Sequence, residues 1–305
     1  MLIEKTQRDT LMKFVTLKSL VMQYTDESVL RTFCEELIAE GDPAHVGTWA
    51  YNAAKFLRFL DSGNPSFSVF NVSGNIKLPF LSFSSLPLAT CPGMGECQNF
   101  CYSIRSWRYP AAFFKQLQNA VLMMTPEGRD SIFNEMSKIL SSRKFKKQTS
   151  IDFRLYVDGD FDSVETMQFW FLKVLGSFPK VRAYGYSKSF DVFRSYVDSI
   201  GTLPENYVLN LSSGSKYDDD VMLQEYMQSL SVTREKFIAI PIEGKFSAAK
   251  GDYMTRRYRT AVRNATKSNG IEKVFVCPGR CGSCTGAGHA CGNPNLNIPI
   301  AIGIH

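Results

Sequence analysis

Long apolar segments are missing from this chain of 305 residues. No apolar run approaches the ~20 residues that a membrane-spanning helix needs, so we expect no membrane partner. The opening segment, Met1 to Arg8, also lacks the apolar core of a secretory signal peptide. We therefore expect a cytoplasmic protein whose cysteines are reduced.

Histidine is scarce as well. The sequence has three, at positions 45, 289 and 305, and none is close to the first of the two cysteine clusters described below. The net charge of +6 and the pI of about 8.8 are compatible with a nucleic-acid partner, but they are modest for a DNA-binding domain. An apolar fraction of 44 % and a charged fraction of 21 % are ordinary for a globular protein with a substantial core.

Seven of the eight cysteines fall in two tight clusters. Thiolates bind soft metals and iron–sulfur clusters, whereas disulfides need an oxidising compartment. Glycines and a proline around each cluster allow a tight loop whose backbone N–H groups face the sulfurs. Both loops are therefore predicted to hold a metal or an iron–sulfur cluster. The proposed ligands are Cys91, Cys97 and Cys101 in the first loop and Cys277, Cys281, Cys284 and Cys291 in the second.

The number of thiols differs between the two loops. Three thiolates on a 4Fe–4S cluster leave one iron free for a substrate or cofactor. A zinc ion in the first loop would instead need a fourth ligand from a distant residue or from water. Four thiolates close a site, so the second loop is predicted to be structural or electron-relaying, with zinc and a 4Fe–4S cluster both fitting its spacing.

The periodicity of apolar residues divides the chain into two regions. Residues 1–65 are predicted as an N-terminal helical region, and residues 66–305 as an α/β domain that carries the clustered cysteines. Strand-like runs alternate with helical patterns in the second region, which is typical of βαβ units and a parallel sheet. A six-unit (β/α) partial barrel and an open doubly wound sheet both fit. The predicted strands lie near residue 80 and at 151–157, 181–186, 207–211, 237–242 and 274–276.

In either arrangement the chemistry belongs at the carboxyl ends of the strands. Both cysteine loops, and polar runs that begin at Asp158, Ser187 and Ser212, follow predicted strands, so we expect a single active face. Asp158 and Asp160 suit a general acid/base pair, a cation site or a clamp for an ammonium group. The alternative interpretation is a turn that caps the following helix.

A helix predicted at 254–268 has one apolar and one basic side. Such a basic stripe suits phosphates and makes nucleic acid a candidate partner. A solvated outer face is the alternative. The stripe consists of Arg256, Arg259, Arg263 and Lys267.

Three segments resemble the cysteine-rich phage and plasmid family called gene product 88-like. They are Leu86 to Tyr102 with its cysteines, Asp158-Gly-Asp160-Phe161, and Ala183-Tyr-Gly-Tyr-Ser-Lys-Ser189. The Cys-Pro…Cys-x-x-Cys ending is similar too, and the match covers roughly residues 75–291. The resemblance implies a phage or mobile-element origin, and hence the host-cell cytoplasm, but little about chemistry.

The order of parts also resembles that of radical S-adenosylmethionine (SAM) enzymes. Those carry a three-cysteine loop after the first strand of a six-unit partial barrel, with an aromatic residue before the last cysteine, as Phe100 precedes Cys101 here. Their usual cysteine spacing is three and then two residues, whereas this loop has five and then three. The resemblance implies that the first loop holds a 4Fe–4S cluster that binds SAM. Asp158 and Asp160 would then hold the amino group, and Ser212 the ribose or carboxylate.

Three hypotheses for function follow. The leading one is an iron–sulfur enzyme with radical-SAM-like chemistry, acting in a phage or plasmid context on a nucleic acid or nucleotide. The second is a zinc-stabilised nucleic-acid-binding protein of phage or plasmid replication or host takeover, without catalysis. The third is a base-modifying hydrolase or transferase with structural zinc, in which Asp158 or Asp160 is the nucleophile or base.

Overall fold

The computed structural model describes residues 15–74, 78–247, 250–282, 284–285 and 288–304. The predicted N-terminal helical region is present: α1 is described over 15–21, α2 spans Glu27–Ala39 and α3 spans Trp49–Ser62. The part of that region before residue 15 lies outside the described residues.

Local signals explain where α2 and α3 begin and end. The Asp26 carboxylate accepts the backbone N–H groups of Ser28 and Val29 at the start of α2. At the end of α3, Gly63 takes the left-handed conformation, with φ of 69°, and terminates the helix. Cys34, the one cysteine outside the two clusters, is fully buried in α2. It belongs to the same apolar cluster as Phe153 of the sheet, so the N-terminal helices share the main core.

The predicted parallel sheet is confirmed, with eight strands among the described residues. Their order is β1-β2-β3-β4-β5-β6-β8-β7, and every pairing is parallel except that of β1 with β2. Two strands, β1 and β8, were not predicted, and β8 inserts between β6 and β7. The strands are β1 Phe70–Asn71, β2 Leu81–Phe83, β3 Ile151–Arg154, β4 Val181–Ser187, β5 Tyr207–Ser212, β6 Thr233–Pro241, β7 Phe275–Val276 and β8 Ile300–Ile304.

Helices connect the parallel strands, as the sequence predicts. Two of them lie between β2 and β3, and single helical segments lie in the later connections. The segment after β3 begins as the α-helix α6 and continues as a π-helix over Phe169–Leu175. The helices are α4 Pro110–Met124, α5 Pro126–Ser141, α6 Val164–Gln168, α7 Phe190–Ile200, α8 Val221–Ser229 and α9 Arg256–Ser268.

The two faces of the sheet are covered differently. Alternate strand residues such as Ala183 and Leu209 join the main apolar cluster with the buried residues of α4 to α8. Their neighbours Tyr184 and Val208 face the other way and contact the second cysteine loop. We call this second side the inner face. The strands β2 to β6 follow one another in order, and their helices lie on one side of the sheet. This layout differs from the open doubly wound sheet, in which helices cover both faces.

None of the helices within the described ranges is both long enough and apolar enough to cross a bilayer.

Candidate functional site

The first cysteine loop closes over the carboxyl ends of the central strands. The backbone N–H groups of Gly95 and Cys97 both donate to the carbonyl of Gly214, which follows β5. In the opposite direction, the N–H of Lys216 donates to the carbonyl of Gly93 in the loop. A Cβ atom at Gly93 would overlap the backbone of Lys188, after β4, so only glycine permits this close approach. The loop therefore packs closely against the end of β4 and is hydrogen-bonded to the segment after β5.

Asp160 lies beneath this loop and is 5 % exposed. One carboxylate oxygen accepts the N–H of Phe161 and the other accepts the N–H of Lys188, each at 2.8 Å. The Asp160 N–H donates to the carbonyl of Thr90, one residue before Cys91. Burial raises the pKa of Asp160, while these hydrogen bonds lower it. Asp160 thus joins the ends of β3 and β4 to the cysteine loop.

Lys188 places a cation beside the thiols of the first loop. Its Nζ donates to Oγ of Ser212 at 2.8 Å, so the predicted Ser212 is brought to the same place. Burial raises the pKa of the Cys91 and Cys97 thiols, and the ammonium group of Lys188 partly opposes this rise. Sequence reasoning did not select Lys188 as a site residue. The available signal was its position directly after a strand, at the carboxyl end where the chemistry was expected.

Asp158 has different surroundings from Asp160. Its Oδ2 accepts Nε2 of Gln116 in α4 at 3.0 Å, and the hydroxyls of Ser84 and Ser103 also donate to it. Burial raises the pKa of Asp158, and these donors lower it. The structure therefore connects Asp158 to α4 and the segment after Cys101, while Asp160 is connected to Lys188.

The thiols of the first loop are partly buried, and the charge of one would act on the others. Burial is the main cause that raises the pKa of Cys91 well above its ordinary value, and the carboxylate of Asp160 raises it further. Burial also raises the pKa of Cys97, and Cys101 raises the pKa of both thiols. Backbone N–H groups of Leu88 and Gly95 oppose this by lowering the two values. A soft cation would reverse the cost of ionising such grouped thiols.

The second cysteine loop leaves β7 and packs back on the inner face. The N–H of Gly279 donates to Sγ of Cys277 at 3.4 Å, and the N–H of Ala290 donates to Sγ of Cys284 at 3.2 Å. Burial, together with the other three thiols, raises the pKa of Cys277 to about 12. Backbone donors to sulfur are the contacts that stabilise ligating thiolates.

Cys291 is the most buried of the clustered cysteines, at 7 % exposure. Its carbonyl accepts Nδ2 of Asn210 in β5 at 2.9 Å, which ties the loop to the sheet. Burial raises the pKa of its thiol to about 11, and a hydrogen bond from the Tyr186 hydroxyl partly opposes this. The loop is therefore part of the packed structure rather than an appendage.

His289 lies in the second loop, but its ring is occupied by other contacts. Nδ1 accepts the N–H of Gly292 at 3.1 Å, and Nε2 faces a carboxylate oxygen of Asp152 at 3.7 Å. The ring also packs between Phe80 and Tyr184, with centroids 4.7 and 4.5 Å away. The four thiols are thus left as the donor set of the second loop.

All eight cysteines lie within the described residues and are free thiols. Among those residues, no group of three or more His, Cys, Asp or Glu side chains is arranged as a ready-made ion site. The chemistry of both donor sets nevertheless fits a soft metal or a cluster. Each loop brings together partly or fully buried thiols that repel one another when ionised, and some of these sulfurs accept backbone N–H groups.

Arg154 connects the surroundings of the two loops and was also missed by sequence reasoning. Its guanidinium lies 4.8 Å from the ring of Tyr186, and Nη2 is 3.3 Å from the hydroxyl of Tyr102. Its charge lowers the pKa of Cys281 and Cys291, while its Nε is buried without a hydrogen-bond partner. Arg154 is therefore an interior cation close to the second loop.

The basic stripe of α9 is exposed, as predicted from its sequence pattern. On the opposite side of the helix, Tyr258 and Val262 pack with Ile240 and Ala301 of the sheet. The helix contacts β6, β7 and β8 on the outer face, whereas the second cysteine loop occupies the inner face. The exposed cations are Arg256, Arg259, Arg263 and Lys267.

A family model described as gene product 88 matches residues 58–292, which is more than three quarters of the chain. The matched range begins inside α3 and contains all seven clustered cysteines, Asp158, Asp160, Lys188 and Ser212. The resemblance predicted from the sequence is thereby confirmed. No curated protein and no solved structure gives a significant match to the chain.

Proposed function

The chain belongs to the gene product 88 family, and we propose that it is an iron–sulfur enzyme with radical-SAM-like chemistry, acting in a phage or plasmid context. One observation carries the proposal: a three-cysteine loop, a buried carboxylate and a lysine–serine pair converge at the carboxyl ends of parallel strands. The strands β2 to β6 also follow one another in sheet order, as in a partial barrel.

The thiols of the first loop would hold a 4Fe–4S cluster with one position open for SAM. When bound, these groups supply one-electron chemistry that activates a C–H bond of the substrate. The chain's contribution is to position them and to exclude water. Cys91, Cys97 and Cys101 are the proposed ligands.

Lys188, Ser212 and Asp160 are proposed to bind the polar part of SAM. The ammonium group of Lys188 suits the cofactor carboxylate, and the hydroxyl of Ser212 suits that carboxylate or the ribose. The Asp160 carboxylate accepts two backbone N–H groups and the hydroxyl of Ser187, and its remaining acceptor position is proposed to receive the cofactor amino group. Asp158, enclosed by Gln116 and two serines, is assigned a positioning role in the turn.

The second loop, with four thiols and a packed environment, is proposed to hold a zinc ion or a cluster in a structural or electron-relaying role. The contacts of this loop with β4 and β5 support a location of the proposed group on the inner face. Arg154 would supply a compensating positive charge beside it.

Electron paramagnetic resonance of the anaerobically purified, reduced protein tests the proposal. Adding SAM is expected to change the spectrum, because a cofactor bound at an open iron alters its electronic environment. The response should be lost in Cys97→Ala and kept in Cys291→Ala, since only the first loop has an open position. A preparation with full iron content and no SAM effect would overturn the proposal.

Asp160→Asn, with Asp158→Asn as the matched control, tests the assignment of the carboxylates. We expect Asp160→Asn to keep its iron content and to lose the SAM-dependent spectral change, because the negative charge that receives the amino group is gone. The control should keep that change. An Asp160→Asn protein that fails to fold would show that the carboxylate serves only the turn.

The zinc-stabilised nucleic-acid-binding protein is retained as a second candidate, because the four cations of the predicted stripe on α9 are exposed. The two candidates differ in colour. An anaerobically purified iron–sulfur protein is brown and absorbs in the visible range, whereas a protein that contains only zinc is colourless.

A further inference from the structure

We propose that a surface next to the first cysteine loop binds single-stranded nucleic acid. This surface, here called the aromatic–arginine patch, shares no residue with the basic stripe of α9. Binding at the patch is independent of the radical chemistry; its role in delivering a substrate rests on the proposed function. The patch consists of Phe100, Tyr102, Arg105, Arg108 and Tyr109.

Three aromatic rings are exposed within this short segment. Phe100 is 37 % exposed, Tyr102 is 60 % exposed and Tyr109 is 57 % exposed. Aromatic side chains contribute most to stability when buried, so a local group of exposed rings is a feature of binding surfaces. Each ring offers a flat face on which an unpaired base can stack.

The patch also carries uncompensated positive charge. Arg105 and Arg108 are exposed, and neither forms an ion pair among the described residues. The guanidinium of Arg108 lies 4.9 Å from the ring centre of Tyr109. Arginines beside exposed rings match a single strand, because the cations meet its phosphates while the rings meet its bases.

The fold holds this segment in place. Ser103–Arg108 form a 3-10 helix, and its Trp107 is fully buried and donates through Nε1 to Oε1 of Gln116 at 2.9 Å. The Tyr102 hydroxyl donates to the carbonyl of Val157 at 2.9 Å, which leaves its ring exposed but its polar end fixed. Rings that are held before binding lose little conformational entropy when a base stacks on them.

The patch adjoins the candidate site. Tyr102 follows Cys101 directly in the chain, and its hydroxyl contacts both Val157, next to Asp158, and Arg154 near the second loop. A base stacked on Tyr102 would therefore lie at the edge of the proposed active face. Bases in a duplex have both faces covered by stacking, so the flat rings favour a single strand over a duplex.

Fluorescence anisotropy with a labelled single-stranded oligonucleotide of about 16 nucleotides tests this proposal on the full-length protein without SAM. Tyr109→Ala should weaken binding about ten-fold, the loss expected for one stacking ring. The double variant Arg105→Gln/Arg108→Gln should make the slope of log affinity against log salt less negative by roughly 1.4, or about 0.7 for each lost phosphate contact. The matched control, Arg263→Gln/Lys267→Gln on α9, should bind like the wild type.

Three results would overturn the proposal: no binding at about 50 mM salt, binding that only the α9 variant weakens, or tighter binding of a duplex or an acidic peptide than of the single strand. The result is distinguishable from failure of the proposed function. Loss of binding in the patch variants without any SAM response in the wild type would support the patch and overturn the radical chemistry. A SAM response in a wild-type protein that does not bind the oligonucleotide would support the radical chemistry and overturn the proposal for the patch.

Discussion

The two cysteine loops use similar residues in different surroundings. The first has three thiols at the carboxyl edge of the sheet, beside Lys188 and Asp160. The second has four thiols and packs on the inner face against Phe80 and Tyr184. The comparison shows that similar cysteine runs can have different surroundings: one loop lies at the edge of the sheet beside charged side chains, and the other packs on its inner face.

The cations near the two loops differ in the same way. The ammonium group of Lys188 donates to the neutral hydroxyl of Ser212. Its charge is therefore not balanced by this contact and remains available to a ligand at the first loop. Near the second loop, the guanidinium of Arg234 is hydrogen-bonded within the protein. Its Nε donates to Oδ1 of Asn210, and its Nη1 donates to the carbonyls of Leu296 and Ile298. The contacts of Lys188 suit the binding of a ligand at the first loop, whereas the contacts of Arg234 suit a structural role beside the second loop.

The largest difference is expected in thermal stability. Cys284→Ala should lower the melting temperature by roughly 10 °C, because losing one thiol would release the metal that is proposed to hold this packed loop. Cys97→Ala should lower it by about 2 °C or less, because the first loop is also held by backbone hydrogen bonds to the segments that follow β3 and β5. Differential scanning calorimetry of the two variants measures this.

Chelator challenge of the wild type is the companion measurement. The four-thiol loop should keep its metal longer than the three-thiol loop, since a closed site loses metal less readily. Equal losses from both loops, together with equal melting temperatures of the two variants, would remove the proposed distinction between an open and a closed site.

Replacing Arg154 should affect the second loop most. Arg154→Met removes the cation that lowers the pKa of Cys281 and Cys291, so we expect metal affinity at this loop to fall roughly 10- to 100-fold. Competition with a colorimetric chelator measures the change. Arg154→Lys should recover part of it, and Arg182→Met, an exposed arginine of β4, should leave it unaltered. An equal loss in the Arg182 variant would contradict a specific role for Arg154.

Lys188 should have a smaller effect, confined to the first loop. Lys188→Met removes a cation that lowers the pKa of the Cys91 and Cys97 thiols, so metal affinity there should fall about 10-fold. Metal content of the second loop should not change. The matched control is Lys216→Met, because its exposed side chain contacts Tyr217 rather than the thiols. Loss of metal from both loops in the Lys188 variant would show a general effect on folding.

The smallest effect expected is a pH dependence at Asp158. Burial raises the pKa of this carboxyl above its ordinary value of 3.8. Its stability contribution is therefore fully present below 3.8 and is lost as the pH rises through the folded pKa. Asp158→Asn does not titrate, so the melting temperature of the variant minus that of the wild type should increase between about pH 4 and pH 7. Asp219→Asn, at an exposed position, should show no such trend.

Much of the fold was predictable because it depends on local patterns. The strands β3, β4 and β5 were predicted within a few residues from apolar periodicity. The strand β8 was missed, and its place between β6 and β7 follows from pairing in the sheet. Nothing in a short apolar segment indicates which strand edge it will join.

The candidate site was predictable only in part. The clustered cysteines and Asp160 were selected because spacing and position after a strand identified them. Lys188 and Arg154 were missed, since a single lysine or arginine has no distinctive local pattern. Asp158 and Asp160 seemed equivalent in sequence, but the structure gives them different partners.

The sequence by itself determined the two donor sets, because cysteines a few positions apart cannot be far apart in space. It also determined that the predicted strands are parallel, because a long connection with a helix separates each of them from the next. Only the tertiary structure decided that Lys188, about a hundred positions after Cys91, lies beside its thiol. It also decided that the second loop packs on the inner face. The physical reason is that both contacts are made by sheet pairing and burial, which join segments that have no relation in local sequence.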